Sequence, residues 1–222
     1  MLNKIKIIGK AYPIEFKAQE EYKEPMAYFS LSVPSPSGAT TNLRCGARGE
    51  MAEKVKNEIQ EGDIVEVRGY LRNEKLGRQI LVRVLNFTKL DINFEEIDNN
   101  SANHVRLLGK IVTEFNLRPS HNANSEIISF KITVPREGIK LPLFFCRARG
   151  ELVPEITDKL KKGDIILLEG FLQTIRIMEG EKPSYISAII CQGFTFLDND
   201  SGEVFAPLDK LTRIIKEVEK ID

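Results

Sequence analysis

The sequence predicts an all-β protein with short helices, in which one small five-stranded barrel occurs twice in tandem. The first observation behind this prediction is an internal repeat, because five blocks recur in the same order 100 or 101 positions later. The second is an alternation of apolar and polar residues at period two, which is typical of strands. The repeated blocks are Asn3–Lys10 with Asn103–Lys110, Phe29–Pro34 with Phe130–Pro135, Cys45–Glu50 with Cys146–Glu151, Ile59–Ile64 with Leu160–Ile165, and Gly69–Leu71 with Gly170–Leu172.

Each repeat has the same order of predicted elements. The first repeat begins with a strand at Asn3 and continues with a strand that ends at Pro34. The other elements are a third strand Asn42–Arg48, a helix with Met51, Val55 and Ile59 on its apolar side, a fourth strand Ile64–Leu71 and a fifth strand Gln79–Leu90. Their counterparts are Leu141–Arg149, the helix with Leu152, Ile156 and Leu160, Ile165–Leu172 and Tyr185–Leu197. Five short strands with a helix between the third and fourth describe an OB barrel.

The repeat also predicts the domain organisation. Residues 1–90 form the first OB barrel and residues 103–200 the second. Residues 91–102 are rich in Asn, Asp and Glu and are predicted to be an acidic linker. Residues 201–222 carry apolar residues at helical spacing, which predicts a C-terminal amphipathic helix.

Two smaller features depart from a plain tandem repeat. Within the linker, Phe94 and Ile97 are apolar and are able to pack on a barrel. Before the last strand the offset between the repeats rises from 101 to 107. The additional residues of the second repeat lie around Ile177–Ser184 and predict a longer hairpin loop.

Composition excludes several classes of protein. Hydrophobic residues make up 42% and charged residues 29%, which is ordinary for a soluble globular protein, and no apolar run approaches the ~20 residues that span a bilayer. The start of the chain lacks a signal-peptide pattern, so we expect a cytoplasmic protein. The cysteines, Cys45, Cys146 and Cys191, are too dispersed for a disulfide framework or a zinc site and are expected to be small buried hydrophobes.

Catalysis finds little support in the sequence. His104 and His121 are the two histidines, and they occupy unlike places in the two repeats. No metal-ligand spacing and no phosphate-binding glycine loop is present. We therefore expect no enzyme activity, no metal and no cofactor.

Several motifs resemble the bacterial single-stranded DNA-binding protein family and its primosomal relatives. The resemblance rests on the opening Asn-Lys-Ile-Lys-Ile-Ile-Gly, on Ala-Arg-Gly-Glu-Met-Ala-Glu-Lys-Val and on Glu-Gly-Asp-Ile-Val-Glu-Val-Arg-Gly-Tyr-Leu. It covers both repeats. Members with two OB barrels per chain pair as dimers, so the resemblance implies a homodimer with four barrels. Members of the family stack bases on tryptophans, whereas this chain has none.

Strand alternation predicts which side chains could contact a single strand. Ligands of OB barrels lie across the second and third strands, between the flanking loops, and single-strand binders combine basic and flat side chains there. The predicted nucleic-acid-binding residues are Lys4, Lys6, Arg44, Arg48, Arg68, Tyr70, Arg72, Lys75, Arg78, Arg106, Phe145, Arg147, Arg149, Phe171 and Arg176.

Structural alternatives stay open for most of these residues. Arg48 and Arg149 could each pair with a nearby carboxylate. Phe145 could pack where the barrels meet, and Tyr70 and Phe171 could pack under the hairpin. Lys4, Lys6 and Arg106 could form a solvated strand face.

The sequence supports one function and leaves a second open. The first is binding of single-stranded nucleic acid, most simply DNA, largely without sequence preference, in replication, recombination or repair; RNA and replication or repair proteins stay open as further partners. The second is an OB-fold adaptor or structural protein that binds protein partners and no nucleic acid. The net charge of zero, with 32 basic and 32 acidic residues, favours the second. The arginines that recur in both repeats favour the first.

Overall fold

The structure is a computed structural model, which describes residues 3–18, 23–36, 38–74, 79–120, 126–134, 142–179 and 182–197. The first repeat contains β1 (Asn3–Ala11), β2 (Glu15–Lys17), β3 (Met26–Pro34), β4 (Thr40–Arg48), α1 (Glu50–Glu58), β5 (Ile64–Glu74) and β6 (Gln79–Leu90). The second contains β7 (Asn103–Ile111), β8 (Asn116–Pro119), β9 (Glu126–Thr133), β10 (Leu143–Arg149), α2 (Leu152–Lys159), β11 (Ile165–Glu179) and β12 (Lys182–Leu197).

Each repeat closes into a five-stranded barrel. In the first, the strand order is β3-β4-β6-β5-β1, and β1 pairs again with β3 to close the sheet. In the second, β9-β10-β12-β11-β7 closes through β7 and β9 in the same way. The helix follows the third barrel strand in both repeats. The predicted fold class, two tandem OB barrels with a helix between strands, is therefore confirmed for the described residues.

The two barrels are joined into one sheet, which the sequence did not predict. β1 pairs antiparallel with β7, with Lys4 opposite Arg106 and Ile5 opposite Val105. All twelve strands consequently belong to one hydrogen-bonded sheet. An unpaired strand edge is a liability in solution, and this pairing covers the free edge of the first strand of both barrels.

Both barrels use a buried asparagine at the start of their first strand. The Asn3 Nδ2 donates to the Leu71 carbonyl oxygen at 3.0 Å, and the Leu71 N–H donates to the Asn3 Oδ1 at 2.9 Å. Asn103 makes the same two hydrogen bonds with Leu172, at 2.7 and 3.0 Å. Buried polar groups are costly unless they are hydrogen-bonded. This side chain therefore explains why both repeats open with asparagine.

Two details correct the sequence-based prediction of strands. Each repeat has a sixth short strand, β2 or β8, which pairs with part of the edge of β3 or β9. In addition, residues 177–179 and 182–184 of the predicted loop belong to strands, because the β11–β12 ladder continues to the pair Glu179 and Lys182. The additional residues of the second repeat therefore lengthen its hairpin, in strands of 15 and 16 residues against 11 and 12 for β5 and β6.

The segment between the repeats is ordered around a short helix. A 3-10 helix spans Phe94–Glu96, and Ile97 is buried in the core, with Phe94 packed against it. The Ile8 N–H also donates to the Ala102 carbonyl oxygen at 2.7 Å. The predicted packing of Phe94 and Ile97 is therefore confirmed. The predicted C-terminal helix, residues 201–222, lies outside the described residues.

Candidate nucleic-acid interface

The outward side chains of β3, β4, β5 and β6 form what we term the first face. Tyr28 lies opposite Gly46, Gly46 opposite Arg83, and Arg83 opposite Tyr70, so these four residues form a row across the four strands. A β-bulge at Gly69 precedes Tyr70, and a Cβ there would collide with the Arg83 carbonyl oxygen. The bulge thus brings the backbones of β5 and β6 close together beside this row.

The arginines of β4 on the first face are ion-paired. Arg44 Nη1 lies 3.2 Å from Glu74 Oε2, and Arg48 Nε lies 2.9 Å from Glu24 Oε1. The Arg44 guanidinium also lies 4.9 Å from the centre of the Tyr28 ring. For Arg48 the structure therefore has the carboxylate pairing that the sequence left open. Arg72, on β5, is exposed.

Arg83 differs from its neighbours because it is buried. Its exposed fraction is 5%, and its Nε and Nη1 make no hydrogen bond with the described residues. Burial lowers the pKa of Arg83, and the Arg48 and Arg72 charges lower that pKa further, while Tyr70 and Tyr28 raise it. The sequence analysis missed Arg83. The alternation of β6, with Ile80, Val82 and Val84 inside, would have found it.

The second face is formed by the matching side chains of β9, β10, β11 and β12. Its row contains Ser129 opposite Arg147, Arg147 opposite Ile190, and Ile190 opposite Phe171. A groove of about 650 Å³ lies on this face, between β8 and the hairpin of β11 and β12. Its lining residues are Thr113, Glu114, Asn116, Arg118, Pro119, Ile127, Ser129, Phe130, Lys131, Phe145, Arg147, Arg176 and Ile186.

The groove of the second face is basic. Arg118, Lys131, Arg147 and Arg176 line it, and among the lining residues that the structure describes Glu114 is the one carboxylate. Glu114 is itself 3.4 Å from Lys162 Nζ. A concave surface with one sign of charge concentrates oppositely charged ligands.

The arginines of β10 differ from those of β4 in their ion pairs with described residues. Within the described part of the chain, neither Arg147 nor Arg149 has a carboxylate within salt-bridge distance. Burial lowers the pKa of Arg147, and the charges of Arg149 and Arg118 lower it further. Arg147 is thus close enough to both Arg118 and Arg149 to be repelled by their charges. The sequence analysis missed Arg118 because it did not predict β8.

The two aromatic residues predicted on the second face have different environments. Phe171 is 8% exposed and packs with Ile175, Ala188 and Ile190, which corresponds to the packing role that the sequence left open for it. Phe145 is half-buried, packs on the edge of this cluster and lines the groove. The Arg147 guanidinium lies 5.9 Å from its ring centre. Phe145 therefore offers part of a flat surface inside the groove.

The remaining predicted residues lie elsewhere. Lys4, Lys6, Arg68 and Arg106 lie on the outer surface of the β5-β1-β7-β11 sheet, which we term the junction surface. On it, Arg68 Nε lies 2.6 Å from Glu66 Oε1, and Arg106 Nε lies 3.1 Å from Glu169 Oε1. The structure thus divides the predicted residues between two faces and this surface. Lys75 and Arg78 lie outside the described residues.

The cysteines contribute no reactive group to either face. Cys45, Cys146 and Cys191 are free and buried, as the sequence predicted. Burial raises the pKa of the Cys191 thiol to about 12 and also raises those of the other two. Within the described ranges, no three His, Cys, Asp or Glu side chains are grouped so that they could hold a metal ion. Among the helices described, none is long and apolar enough to cross a membrane.

Comparison with known proteins gives structural matches. No family model matches the sequence, and no curated protein matches it significantly. The wild-type single-stranded DNA binding protein from Thermus aquaticus has a TM-score of 0.68 at 19% identity, over 94% of this chain and 98% of that chain. A deletion mutant of the same Thermus protein has a TM-score of 0.69 at 18% identity, over 91% and 98%. The chain therefore has the tandem OB-barrel fold of the Thermus aquaticus single-stranded DNA binding protein.

Proposed function

We propose that this protein binds single-stranded DNA, largely without sequence preference, as a binding protein and not as an enzyme. The observation that carries the proposal is the groove of the second face, which Arg118, Arg147 and Arg176 line together with the half-buried Phe145. A basic groove that follows the backbone, with a flat side chain for a base, is the usual design of such sites. The likeness to the Thermus protein supports this choice of ligand.

The charge distribution supports the proposal despite the net charge of zero. Affinity for a nucleic acid depends on the cations that reach its phosphates, since each contact releases a condensed counterion. Among the described lining residues of the groove on the second face, four are basic and one is a carboxylate, Glu114, which has its own cationic partner. Charge elsewhere in the chain then has little effect, because exposed charges beyond ~8–10 Å are screened at physiological salt.

Binding is expected to depend more on phosphate contacts than on stacking. Each base stacked on an aromatic side chain contributes about 1–3 kcal/mol. The chain has no tryptophan, and Phe171, one of its three predicted stacking residues, is buried. Arginine partly compensates, because its planar guanidinium can pair with phosphate and also lie on a base. We therefore propose a salt-sensitive binder.

Cellular role and assembly follow as further parts of the proposal. A protein that covers single strands would act in replication, recombination or repair, and the free, buried cysteines suit a reducing compartment such as the cytoplasm. One barrel covers only about 4–16 nucleotides. Two chains would present four barrels, as in the family that the sequence resembles, so we propose a homodimer. Light scattering of the purified protein tests this by measuring its molar mass in solution.

The direct test is a titration of labelled oligo-dT, with RNA and duplex DNA of equal length as comparisons, at two salt concentrations. Fluorescence anisotropy should show that oligo-dT binds better than duplex, and that log affinity falls with log salt at about −0.7 per phosphate contact. Absence of oligo-dT binding at low salt would overturn the proposal. The adaptor function, which the ion-paired arginines of the first face also suit, would then replace it.

A further inference from the structure

Each face has one arginine in the middle of its row, but the two arginines lie on different strands. In the first face, β4 contributes Gly46 to the row and β6 contributes Arg83. In the second face, β10 contributes Arg147 and β12 contributes Ile190. Gly46 and Arg147 occupy equivalent positions, as do Arg83 and Ile190. The arginine has therefore exchanged strands between the repeats, while its place in the row between the outer strands is kept.

Space in the row changes together with the arginine. A Cβ on Gly46 would lie 3.0 Å from the Leu81 side chain and 3.3 Å from the Tyr28 ring, which is tighter than ordinary packing. An arginine at this position of β4 would therefore require the Leu81 side chain and the Tyr28 ring to shift, and the first face has its arginine on β6 instead. The position equivalent to Leu81 is Ala188, which is smaller and leaves room for Arg147 on β10.

Both guanidinium groups have buried nitrogen atoms that make no hydrogen bond with the residues that the structure describes. These are Nε and Nη1 of Arg83 and Nε of Arg147. The ionisable groups that act on Arg83 are two arginines and two tyrosines, and those that act on Arg147 are two arginines. A guanidinium stays protonated in proteins, and a buried unpaired charge costs several kcal/mol. This arrangement is unfavourable unless an anion supplies the missing acceptors.

We propose that Arg83 and Arg147 are equivalent phosphate-binding residues, one in each barrel, whose missing acceptors are phosphodiester oxygens of the single strand. The inference rests on the proposed function and adds Arg83 to its binding residues. Each arginine lies in the central part of its row, so a strand that crosses the face passes over it. Arg48 and Arg72 are exposed neighbours on the first face. Their side chains can move on the ps–ns timescale and give a phosphate access to Arg83.

The first test replaces Arg83 with isoleucine, the residue that the second barrel has at this position. The Arg83→Ile variant should bind oligo-dT about tenfold more weakly, because a charge-assisted hydrogen bond is lost. The slope of log affinity against log salt should become shallower by about 0.7. Its melting temperature should be unchanged or higher, since an apolar residue replaces a buried unpaired charge.

Two results for the Arg83→Ile variant would contradict the proposed role of Arg83. Unchanged affinity for oligo-dT would overturn it, and so would a lower affinity with an unchanged salt slope, which indicates a contact with a base. The matched control is Lys54→Gln, which removes one exposed positive charge from α1, outside both rows. The control should bind as the wild type does. If the wild type itself does not bind oligo-dT, the proposed function fails. If the wild type binds and Arg83→Ile binds equally well, only the proposed role of Arg83 fails.

The second test moves the arginine of the second face from β10 to β12, which is the strand equivalent to β6 of the first face. Arg147→Ala should weaken oligo-dT binding about tenfold. The double variant Arg147→Ala with Ile190→Arg should recover most of that loss, because it returns an arginine to the middle of the row, at the position that Arg83 has in the first face. Circular dichroism should show that both variants are folded. A folded double variant that binds no better than Arg147→Ala would overturn the equivalence of the two positions.

Discussion

The two faces share one backbone plan and differ in how their arginines are paired. Of the outward positions, β4 has Arg44 and Arg48 with Gly46 between them, and β10 has Phe145, Arg147 and Arg149. On the first face Arg44 and Arg48 pair with Glu74 and Glu24. On the second face, within the described residues, Arg147 and Arg149 have no such partner. A phosphate that binds Arg44 or Arg48 would therefore have to displace a carboxylate, whereas a phosphate that binds Arg147 or Arg149 would displace none from the described residues.

The difference indicates that the barrel fold restricts which residues can occupy the core, whereas the outward residues of the two repeats can differ. The buried asparagine and its two hydrogen bonds are the same in both barrels. The barrel would lose buried hydrogen bonds if that residue changed. The outward positions carry no such requirement, so Gly46 can correspond to Arg147 and Arg83 to Ile190.

The largest loss of affinity is expected when the arginines of the second face are removed. Arg147→Ala with Arg149→Ala should weaken oligo-dT binding about a hundredfold, because two unpaired charge-assisted contacts are lost. The salt slope should become shallower by about 1.4. Arg44→Ala with Arg48→Ala on the first face should weaken binding by about tenfold or less, since those arginines already bind carboxylates. Anisotropy titrations at two salt concentrations measure both.

The same pair of variants shows how the comparison could fail. Equal losses on the two faces would mean that the ion pairs of the first face open at no cost. Thermal melts provide the control, and both double variants should melt close to the wild type. If the second-face variant unfolds while affinity per folded molecule is intact, its arginines are structural.

A second prediction concerns the stability of the two barrel cores, in which the barrels should be alike. Asn3→Ala and Asn103→Ala each leave the N–H and C=O of a buried backbone leucine without a partner. Each variant should lower the free energy of unfolding by about 2 kcal/mol. Urea denaturation measures this value. Ser30→Ala, on the outward side of β3, is the control and should change it by less than about 0.5 kcal/mol. A large difference between the two asparagine variants would contradict the claim that the cores are equivalent.

Repeat and alternation were enough to predict the barrels. The fifth strand was predicted as Gln79–Leu90 and has those bounds. The inward set Leu43, Cys45 and Ala47 is buried, as alternation requires. These features depend on local patterns that repeat along the chain, and two copies of a pattern reinforce each other.

The sequence could not predict what depends on distant partners. Arg48 pairs with Glu24 because β3 and β4 place Met26 opposite Arg48, and no local pattern indicates that carboxylate. The pairing of β1 with β7 joins strands that are about a hundred positions apart. The short strands β2 and β8 were missed because three or four residues are too few for alternation to appear.

The smallest expected effect converts the first face toward the second. Glu24→Gln with Glu74→Gln removes the carboxylates that pair with Arg48 and Arg44 and keeps the size of both side chains. Exposed ion pairs of this kind contribute about 0–1 kcal/mol each. Affinity for oligo-dT should therefore rise only about threefold to tenfold, because the freed arginines no longer exchange one anion for another. The salt slope should become steeper, since more counterions are then released on binding.

The control for this conversion removes a carboxylate from an ion pair elsewhere. Glu66 pairs with Arg68 at 2.6 Å on the junction surface, outside both faces. Glu66→Gln should leave the affinity and the salt slope close to those of the wild type, whereas Glu24→Gln alone should raise both measurably. Similar gains from Glu66→Gln and Glu24→Gln would attribute the effect to net charge. The carboxylates of the first face would then not specifically weaken the binding of oligo-dT to that face. The two barrels would differ only in the positions of their arginines.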